Sequence, residues 1–238
     1  MTSDDDARLR EIFLGVSTAT LTTALMKQGL RNAYMQEVQP LPGGASRMAG
    51  RAFTLRFIPA REDLDQISVF EDPRHPQRLA VETIPAGRVM VIDARGDPRA
   101  ASAGDILVLR MKMRGAAGIV TDGGLRDSAG IAAMGFPAYC RRPSAPTNLI
   151  HHHAVDIDVP IACGGVAVYP GDWIVGDQEG VVVVPADLAP AIAAEAARMT
   201  EFETYVEEQV AAGETIIGLY PPSPETRQRF EAWKKQRG

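Results

Sequence analysis

An α/β fold built on a parallel sheet is the class this sequence predicts, on three observations. Short apolar runs such as Val89-Met90-Val91-Ile92 and Ile119-Val120 alternate with helix-like segments between Gly87 and Cys140. That strand–helix–strand–helix–strand order implies parallel pairing with helices packed on the sheet. After Asn148 the pattern changes to closely spaced short strands separated by turn sequences, which predicts an antiparallel part.

The elements follow in order. From about Asp6 to Gly29 the chain reads as helix, with Leu9, Ile12, Phe13 and Val16, then Leu21, Ala24 and Leu25, at helical spacing. Ser17-Thr18-Ala19-Thr20 interrupts it and offers a cap for a second helix, and Gly29 is a stop. Gln39 to Gly50 is rich in Pro and Gly and reads as a loop; Ala52 to Phe57 alternates like a strand. Arg61 to Leu79 mixes charges with Pro73 and Pro76 and is expected to be a mobile loop or short helix. Ser102 is expected to cap a helix over Gly104 to Arg114, which Gly115 ends. Asp127 or Ser128 would cap a short helix ending near Gly135, before a short strand, Pro137-Ala138-Tyr139-Cys140.

In the second half, Asp156 to Cys163, Val166 to Val168, Trp173 to Val175 and Val181 to Val184 read as strands. Pro170-Gly171-Asp172 and Asp177-Gln178-Glu179-Gly180 turn the chain between them. Asp187 to Ala212 is a long helix with a charged outer face, and Pro221-Pro222 breaks the chain before a last short helix, Pro224 to Lys235. One domain is expected over residues 1–238: a helical N-terminal segment (about 6–30), a core (about 39–186) and C-terminal helices (about 187–236).

The totals exclude some functions. The chain has 238 residues, 45% apolar and 23% charged, ordinary for a globular protein. A net charge of −5 argues against nucleic-acid binding through the whole surface. No apolar run approaches bilayer length and the acidic Met1 to Asp6 carries no signal region, so no membrane role is expected. Cys140 and Cys163 do not make a disulfide framework, which fits a reducing, cytoplasmic setting.

The chemistry concentrates in twenty-four residues. Gly104-Asp105-Ile106-Leu107 opens a helix whose following loop leads into Gly118-Ile119-Val120-Thr121-Asp122-Gly123-Gly124-Leu125-Arg126-Asp127. Taken alone, Arg126-Asp127 could be a surface ion pair and helix cap. Its position after an apolar strand, where α/β sheets present ligands, favours a site. Gly123-Gly124 admits close backbone approach, and the first-turn N–H groups of the helix at Asp105 to Leu107 are ready for an anion. A carboxylate for a hard cation and a guanidinium for an organic acid anion complete the set.

Other candidates are weaker. His151-His152-His153 could bind zinc or nickel, but adjacent side chains on a strand face opposite ways, and a polar loop or exposed strand start is the plainer expectation. Cys140 and Cys163 are expected to be buried and inert. Gly164-Gly165 reads as a bulge or turn, Asp172 and Asp177 as Asx turns, and Arg141-Arg142 as solvated cations.

From about Val16 to Gly213 the chain resembles the family that contains the 4-hydroxy-4-methyl-2-oxoglutarate/4-carboxy-4-hydroxy-2-oxoadipate aldolases and the regulator of ribonuclease activity A. The strongest blocks are Gly104 to Leu107, Gly115 to Asp127, and Tyr169-Pro170-Gly171-Asp172 through Gly180 to Pro185. The family's aldolases carry Asp, twenty residues, then Arg-Asp; Asp105, Arg126 and Asp127 match without a gap, and Asp105 favours an enzyme over the regulators. The resemblance implies a swivelling β/β/α-type sandwich, a central mixed sheet flanked by helices, assembled as a homotrimer or hexamer with sites between subunits. It implies a divalent-metal-dependent lyase that cleaves 4-hydroxy-2-oxo acids to pyruvate and decarboxylates oxaloacetate.

By the same resemblance Asp127 holds Mg²⁺ or Mn²⁺. Arg126 binds the pyruvyl part of the substrate, the backbone of Gly104, Asp105, Ile106 and Leu107 binds its carboxylate, and Asp105 holds water for proton transfer. Glu203 of the C-terminal helix is the best match to a carboxylate that a neighbouring subunit contributes. One departure is Thr23, where the family often has Asp, and with the segment from Arg61 to Pro76 and His151 to His153 it puts the substrate's distal end in question. The alternatives are a dehydratase or aldolase for a sugar-acid-derived 2-oxo-3-deoxy acid, and a non-catalytic regulatory binder.

Overall fold

A computed structural model describes residues 3–237; Met1 and Thr2 of the acidic N-terminal run, and Gly238, lie outside the described residues. Two helices lead, α1 (Ser3–Gly15) and α2 (Thr18–Lys27), followed by β1 (Gln39–Pro40) and the long β2 (Met48–Pro59). A 3₁₀ turn (Ile67–Glu71) and α3 (Pro76–Thr83) precede β3 (Arg88–Asp93), β4 (Ala101–Ala103) and α4 (Asp105–Met113). Then come β5 (Gly118–Thr121), β6 (Gly124–Leu125), α5 (Ser128–Ala133), β7 (Ala138–Cys140) and β8 (Arg142–Pro143). A second 3₁₀ turn (Asn148–Ile150) leads to β9 (His152–Ile157), β10 (Ile161–Cys163), β11 (Val166–Val168), β12 (Trp173–Gly176) and β13 (Val181–Val184). The chain closes with α6 (Ala189–Ala211) and α7 (Pro224–Arg237).

The main sheet has eight strands in the order β1-β7-β5-β3-β2-β12-β13, with β9 also on β2. The run β7-β5-β3-β2 is parallel, as the alternation of strands and helices predicts, and β12, β13 and β9 join antiparallel. β2 is long enough to serve both: Met48 to Arg51 pair with β12 and Leu55 to Pro59 with β9. Side chains alternate between the two faces. Met90 and Ile92 pack with Val108, Met111 and Ile131 beneath α4 and α5, while Val89 and Val91 pack with Ile174, Val181 and Val183 on the other face. Both faces are buried, which is why these strands read as unbroken apolar runs. On α6, Ala189, Ile192, Ala193 and Ala196 form the i, i+3, i+4, i+7 stripe that packs on Trp173, Val182 and Val184 beside α1 and α2.

Several local expectations need correction. Ser102 caps nothing: it is a β4 residue whose hydroxyl lies 2.7 Å from that of Thr121, and Gly104 occupies the N-cap of α4. The supposed loop from Gln39 to Gly50 contains β1 and the first residues of β2. The strand expected from Asp156 to Cys163 is two strands, since Asp158 takes a left-handed φ of 57° and turns the chain between β9 and β10. The segment from Arg61 to Leu79 holds the first 3₁₀ turn and the start of α3. Two other local expectations hold: Ser17 caps α2 by accepting from the Thr20 N–H, and Gly164-Gly165, both with positive φ, turn β10 into β11.

Candidate active site

A small second sheet places the site. β4, β6 and β8 pair in parallel, with Ala101 opposite Gly124 and Ala103 opposite Leu125. The Arg126 N–H donates to the Ala103 carbonyl at 3.1 Å. The residues that follow β4, Gly104 and Asp105, therefore lie beside those that follow β6, Arg126 and Asp127. Twenty residues of helix and strand separate them in sequence, and one register brings them together.

Gly123 and Gly124 serve this packing. A Cβ at Gly123 would sit 2.6 Å from the Ala94 Cβ, and one at Gly124 would sit 2.5 Å from the Ser144 Cβ. The close approach is made by the chain's own neighbours, so β6 is seated by the absence of side chains. Asp122, not singled out in the sequence, anchors the same corner: its carboxylate accepts from the N–H groups of Ala94 (2.7 Å), Gly96 (2.9 Å) and Gly164 (3.3 Å). Burial nonetheless outweighs these donors and pushes its pKa up to about 6.

Asp127 occupies the position before α5 but does not cap it. Its backbone is left-handed, φ 55° and ψ 35°, and its carboxylate makes no cap bond. An L-residue held there stores on the order of 1 kcal/mol of strain, although aspartate tolerates it better than most. The carboxylate instead faces Arg126, whose Nε donates to Oδ2 at 3.2 Å. Both side chains remain more than 40% exposed, so the pair is open to a ligand. A Cβ on Gly104 would lie 2.8 Å from that same Oδ2 and 3.0 Å from the Arg126 Cγ. The bare face of Gly104 is therefore the cradle in which the pair rests.

Asp105 begins α4. Its Oδ1 accepts from the Ile106 N–H at 2.7 Å, which uses one of the first-turn donors assigned to an anion. The N–H groups of Asp105 and Leu107 have no acceptor within the helix. Gly104, Asp105, Ile106, Leu107, Arg126 and Asp127 all line one cleft of about 360 Å³. Asp105, Arg126 and Asp127 also border an adjoining cleft of about 430 Å³ beside Ser128 and Gly130. These six residues are thus brought to one cleft by a single chain.

Glu203 is not brought there. It is half-buried on α6, where its Oε2 accepts from the Thr20 hydroxyl at 2.9 Å. Thr23 does not line either cleft, and its hydroxyl donates to the Ala19 carbonyl of its own helix. The three histidines disperse as strand alternation requires. His152 is fully buried, stacked on Phe57 with ring centroids 5.4 Å apart, which corrects the expectation of a polar loop or exposed strand start. Burial, and then the Arg95 charge, lower its pKa to about 4. His153 pairs through Nδ1 with Asp65 at 2.7 Å and ties the 61–76 segment to β9. Among the described residues no three His, Cys, Asp or Glu side chains gather as a metal cluster. Cys140 and Cys163 are buried free thiols, and burial drives both pKa values up. Arg141 is not a free solvated cation: it bonds the Gly96 carbonyl and pairs with Glu37.

The structure adds residues that sequence reasoning missed. Phe70, Gln77, Arg78 and Asn148 line the first cleft together with Arg126 and Asp127. Nothing in the pattern around Pro76-Gln77-Arg78 distinguishes these residues from any helix start.

The architecture is a swivelling β/β/α-type sandwich, a mixed sheet flanked by helices. The RraA-like profile, described as Aldolase/RraA, matches residues 18–183, and the chain belongs to this RraA-like family. A relative in Halalkalibacterium halodurans named "Putative 4-hydroxy-4-methyl-2-oxoglutarate aldolase" is 46% identical over 99 residues, 42% of this chain and 47% of that one. One of the same name in Aromatoleum aromaticum is 34% identical over 146 residues, 61% of this chain and 83% of the relative. The chain spans about half or less of the length of the first curated relatives it matches. The solved structure of Streptomyces coelicolor RraAS2, described as an unusual member of the RNase ES inhibitor RraA protein family, superposes with a TM-score of 0.74 at 32% identity. It covers 85% of this chain and 96% of that one. An uncharacterized Pseudomonas syringae protein superposes at 0.73 with 25% identity, covering 90% and 97%.

Proposed function

We propose that this protein is a carbon–carbon lyase that cleaves 4-hydroxy-2-oxo acids to pyruvate and a second oxo compound, and that decarboxylates oxaloacetate with the same site. The observation that carries this reading is the cradle: Gly104 leaves room for the Arg126–Asp127 pair at the start of α4, with Asp105 on the same cleft. The aldolase names of the relatives support it.

The donor set suits a hard cation. Asp127 offers a carboxylate oxygen that no helix cap consumes, in an open cleft with no crowd of other ligands among the described residues. A site poor in side-chain ligands fits Mg²⁺ or Mn²⁺, since Mg²⁺ retains most of its waters. Asp127 would hold the ion, and when bound it supplies Lewis acidity toward the substrate's carboxylate and 2-oxo oxygens.

The chain's own groups do the rest. The N–H groups of Asp105 and Leu107 receive the substrate carboxylate at the positive end of α4. Arg126 sets a fixed cation where negative charge grows on the 2-oxo oxygen as the C3–C4 bond breaks, typically worth a few kcal/mol in a preorganised site. Asp105, with Oδ2 not engaged by Ile106, accepts the C4 hydroxyl proton directly or through one water. Oxaloacetate loses CO₂ through the same enolate and needs no such base.

Homotrimer or hexamer formation belongs to the same proposal. Ile106, Leu109 and Met113 project from one exposed face of α4 beside the cleft, at 77%, 46% and 71% exposure. Burying that face would put the cleft at a subunit boundary, where Glu203 of a neighbour has a route to it.

A non-catalytic regulator is the second reading, supported by the likeness to the RNase ES inhibitor relative. An assay for pyruvate across a panel of 4-hydroxy-2-oxo acids and oxaloacetate, with Mg²⁺ or Mn²⁺, separates the two. Product masses distinguish a three-carbon fragment from loss of water, which a dehydratase acting on a 2-oxo-3-deoxy acid would give. Turnover abolished by Arg126→Ala supports the lyase; no turnover on any acid, with a stoichiometric protein partner in a pull-down, supports the regulator.

A further inference from the structure

Three neighbouring strands of the main sheet set two arginines and a tryptophan in one row beneath α1. Arg88, the first residue of β3, is in register with Arg51 of β2, and Arg51 is in register with Trp173 of β12. Residues in register on adjacent strands point to the same face, so two guanidinium groups are neighbours there, and like charges so placed repel. α1 brings two more charged groups. Asp6 and Arg10 lie four residues apart, on one side of that helix. Asp6, Arg10, Arg51, Arg88 and Trp173 line one cleft of about 350 Å³, whose remaining wall is alanine and glycine.

Three cations on this cleft face one carboxylate. Asp6 gives both oxygens to Arg51, accepting from Nε at 2.7 Å and from Nη2 at 2.6 Å. Arg51 is fixed further by donating through Nη1 to the Gly171 carbonyl at 2.9 Å and by lying 5.2 Å from the Trp173 ring centroid. Arg10 and Arg88 meet backbone carbonyls instead: Arg10 Nε donates to Ala49 at 3.0 Å and Arg88 Nη1 to Ala52 at 3.4 Å. Neither forms an ion pair among the described residues. Two cations therefore lack a counter-charge on one cleft of a chain whose net charge is −5. Trp173 lacks a partner as well. It is 2% exposed, and its indole N–H has no acceptor among the described residues, a rare condition for a buried donor.

A doubly charged oxyanion supplies what this corner lacks. Guanidinium forks pair with phosphate oxygens two at a time, and a phosphate monoester carries close to two negative charges at neutral pH, which matches Arg10 and Arg88. The cleft volume falls at the small end of the roughly 300–1,000 Å³ typical of ligand pockets, room for a short organic body beside the phosphate.

We infer that the cleft between α1 and the start of β3 binds a small phosphate monoester, with Arg10 and Arg88 on the phosphoryl oxygens and Arg51, held by Asp6 and Trp173, positioning the row. This site is separate from the catalytic cleft. Arg88 begins β3, whereas Arg126 and Asp127 lie beyond the far end of β5, which runs parallel to β3, and the two sites share no residue.

Isothermal titration of the full chain with glycerol 3-phosphate, glycerate and inorganic phosphate tests the site without any turnover. Glycerate keeps a three-carbon hydroxylated body and carries a single carboxylate charge. Wild type is expected to bind glycerol 3-phosphate about tenfold or more tightly than glycerate, the scale of one added charge-assisted contact. Inorganic phosphate, which lacks the organic body, should bind more weakly than the ester. Arg10→Gln and Arg88→Gln should each weaken the ester by about tenfold or more, Arg88→Lys by less, and Arg126→Ala by less than about twofold. Without ligand, Arg88→Gln should melt no lower than wild type, because it relieves the repulsion with Arg51, and it should lose the rise in Tm that the ester gives wild type. No binding of the ester, equal affinity for ester and glycerate, or binding that survives both glutamine variants overturns the site. Binding lost in Arg126→Ala but kept in Arg10→Gln and Arg88→Gln also overturns it, since the anion then sits in the catalytic cleft. Inorganic phosphate binding as tightly as the ester overturns the assignment to a monoester.

Discussion

Gly104→Ala should separate the site from the fold. The backbone at this position, φ −118° and ψ −178°, is one alanine adopts without strain. Replacing Gly by Ala where the conformation permits narrows the unfolded ensemble and stabilises by about 0.4–1 kcal/mol. The added methyl, however, arrives 2.8 Å from Asp127 Oδ2 and 3.0 Å and 3.2 Å from the Arg126 Cγ and Cδ. Both neighbours are side chains on an open cleft, so they can yield, and the carboxylate must retreat by about 0.6 Å to reach ordinary contact near 3.4 Å. A displacement of 1 Å at a reacting centre costs about 10²-fold, so kcat/KM should fall about 10- to 100-fold, or about 1.4–2.7 kcal/mol in activation free energy. Urea unfolding measures stability and coupled pyruvate release measures activity on the same preparations. Full activity in Gly104→Ala would refute the cradle, and so would a loss of activity matched by a loss of stability.

The converse is expected at Gly50, where a Cβ would lie 2.5 Å from the Gly87 backbone carbonyl, which cannot yield; Gly50→Ala should destabilise by about 1–3 kcal/mol in urea unfolding. Arg126→Ala should reduce kcat by about 10²-fold or more while changing stability by less than about 1 kcal/mol, because the Arg126–Asp127 pair is exposed. His152 titrates near 6.5 when unfolded and about 4 when folded, so its contribution is present above pH 6.5 and lost as pH falls through 4. The unfolding free energy of wild type relative to His152→Gln should therefore shrink by about 3 kcal/mol between pH 7 and pH 4; a gap that stays constant with pH rejects the assignment. Asp122 acts in the opposite sense: with a folded pKa of about 6, its contribution is present below 3.8 and lost as pH rises through 6, so only the difference between variants isolates His152.

The fold was legible where burial is complete. Val89 to Ile92 and Val181 to Val184 read as strands because both faces of the sheet are covered, and the glycine stops at Gly29, Gly115 and Gly135 all carry the positive φ that ends a helix. It was obscured where two residues of strand suffice. β4, β6 and β8 are too short to show periodicity, and Ser102 looks like a helix cap although it is a strand residue bonded to Thr121. At the site, Arg126 and Asp127 could be found because a Gly-Gly turn ends an apolar strand just before them, and Asp105 because its spacing to them matches the family pattern; the β4–β6 register makes them meet. Arg78, Gln77 and Asn148 could not, since they come from α3 and a 3₁₀ turn that only tertiary packing brings together, and an unpaired arginine looks like a paired one until its neighbours are known.

The most direct measurement is pyruvate released from a 4-hydroxy-2-oxo acid by the purified protein with Mg²⁺, after chelation, after Mg²⁺ is restored, and in Asp127→Ala. Turnover that disappears with chelation, returns with the ion, and is absent from a folded Asp127→Ala protein is the predicted result. Turnover that persists in Asp127→Ala contradicts the assignment of the ion to Asp127, and no pyruvate from any 4-hydroxy-2-oxo acid under any of these conditions contradicts the lyase reading.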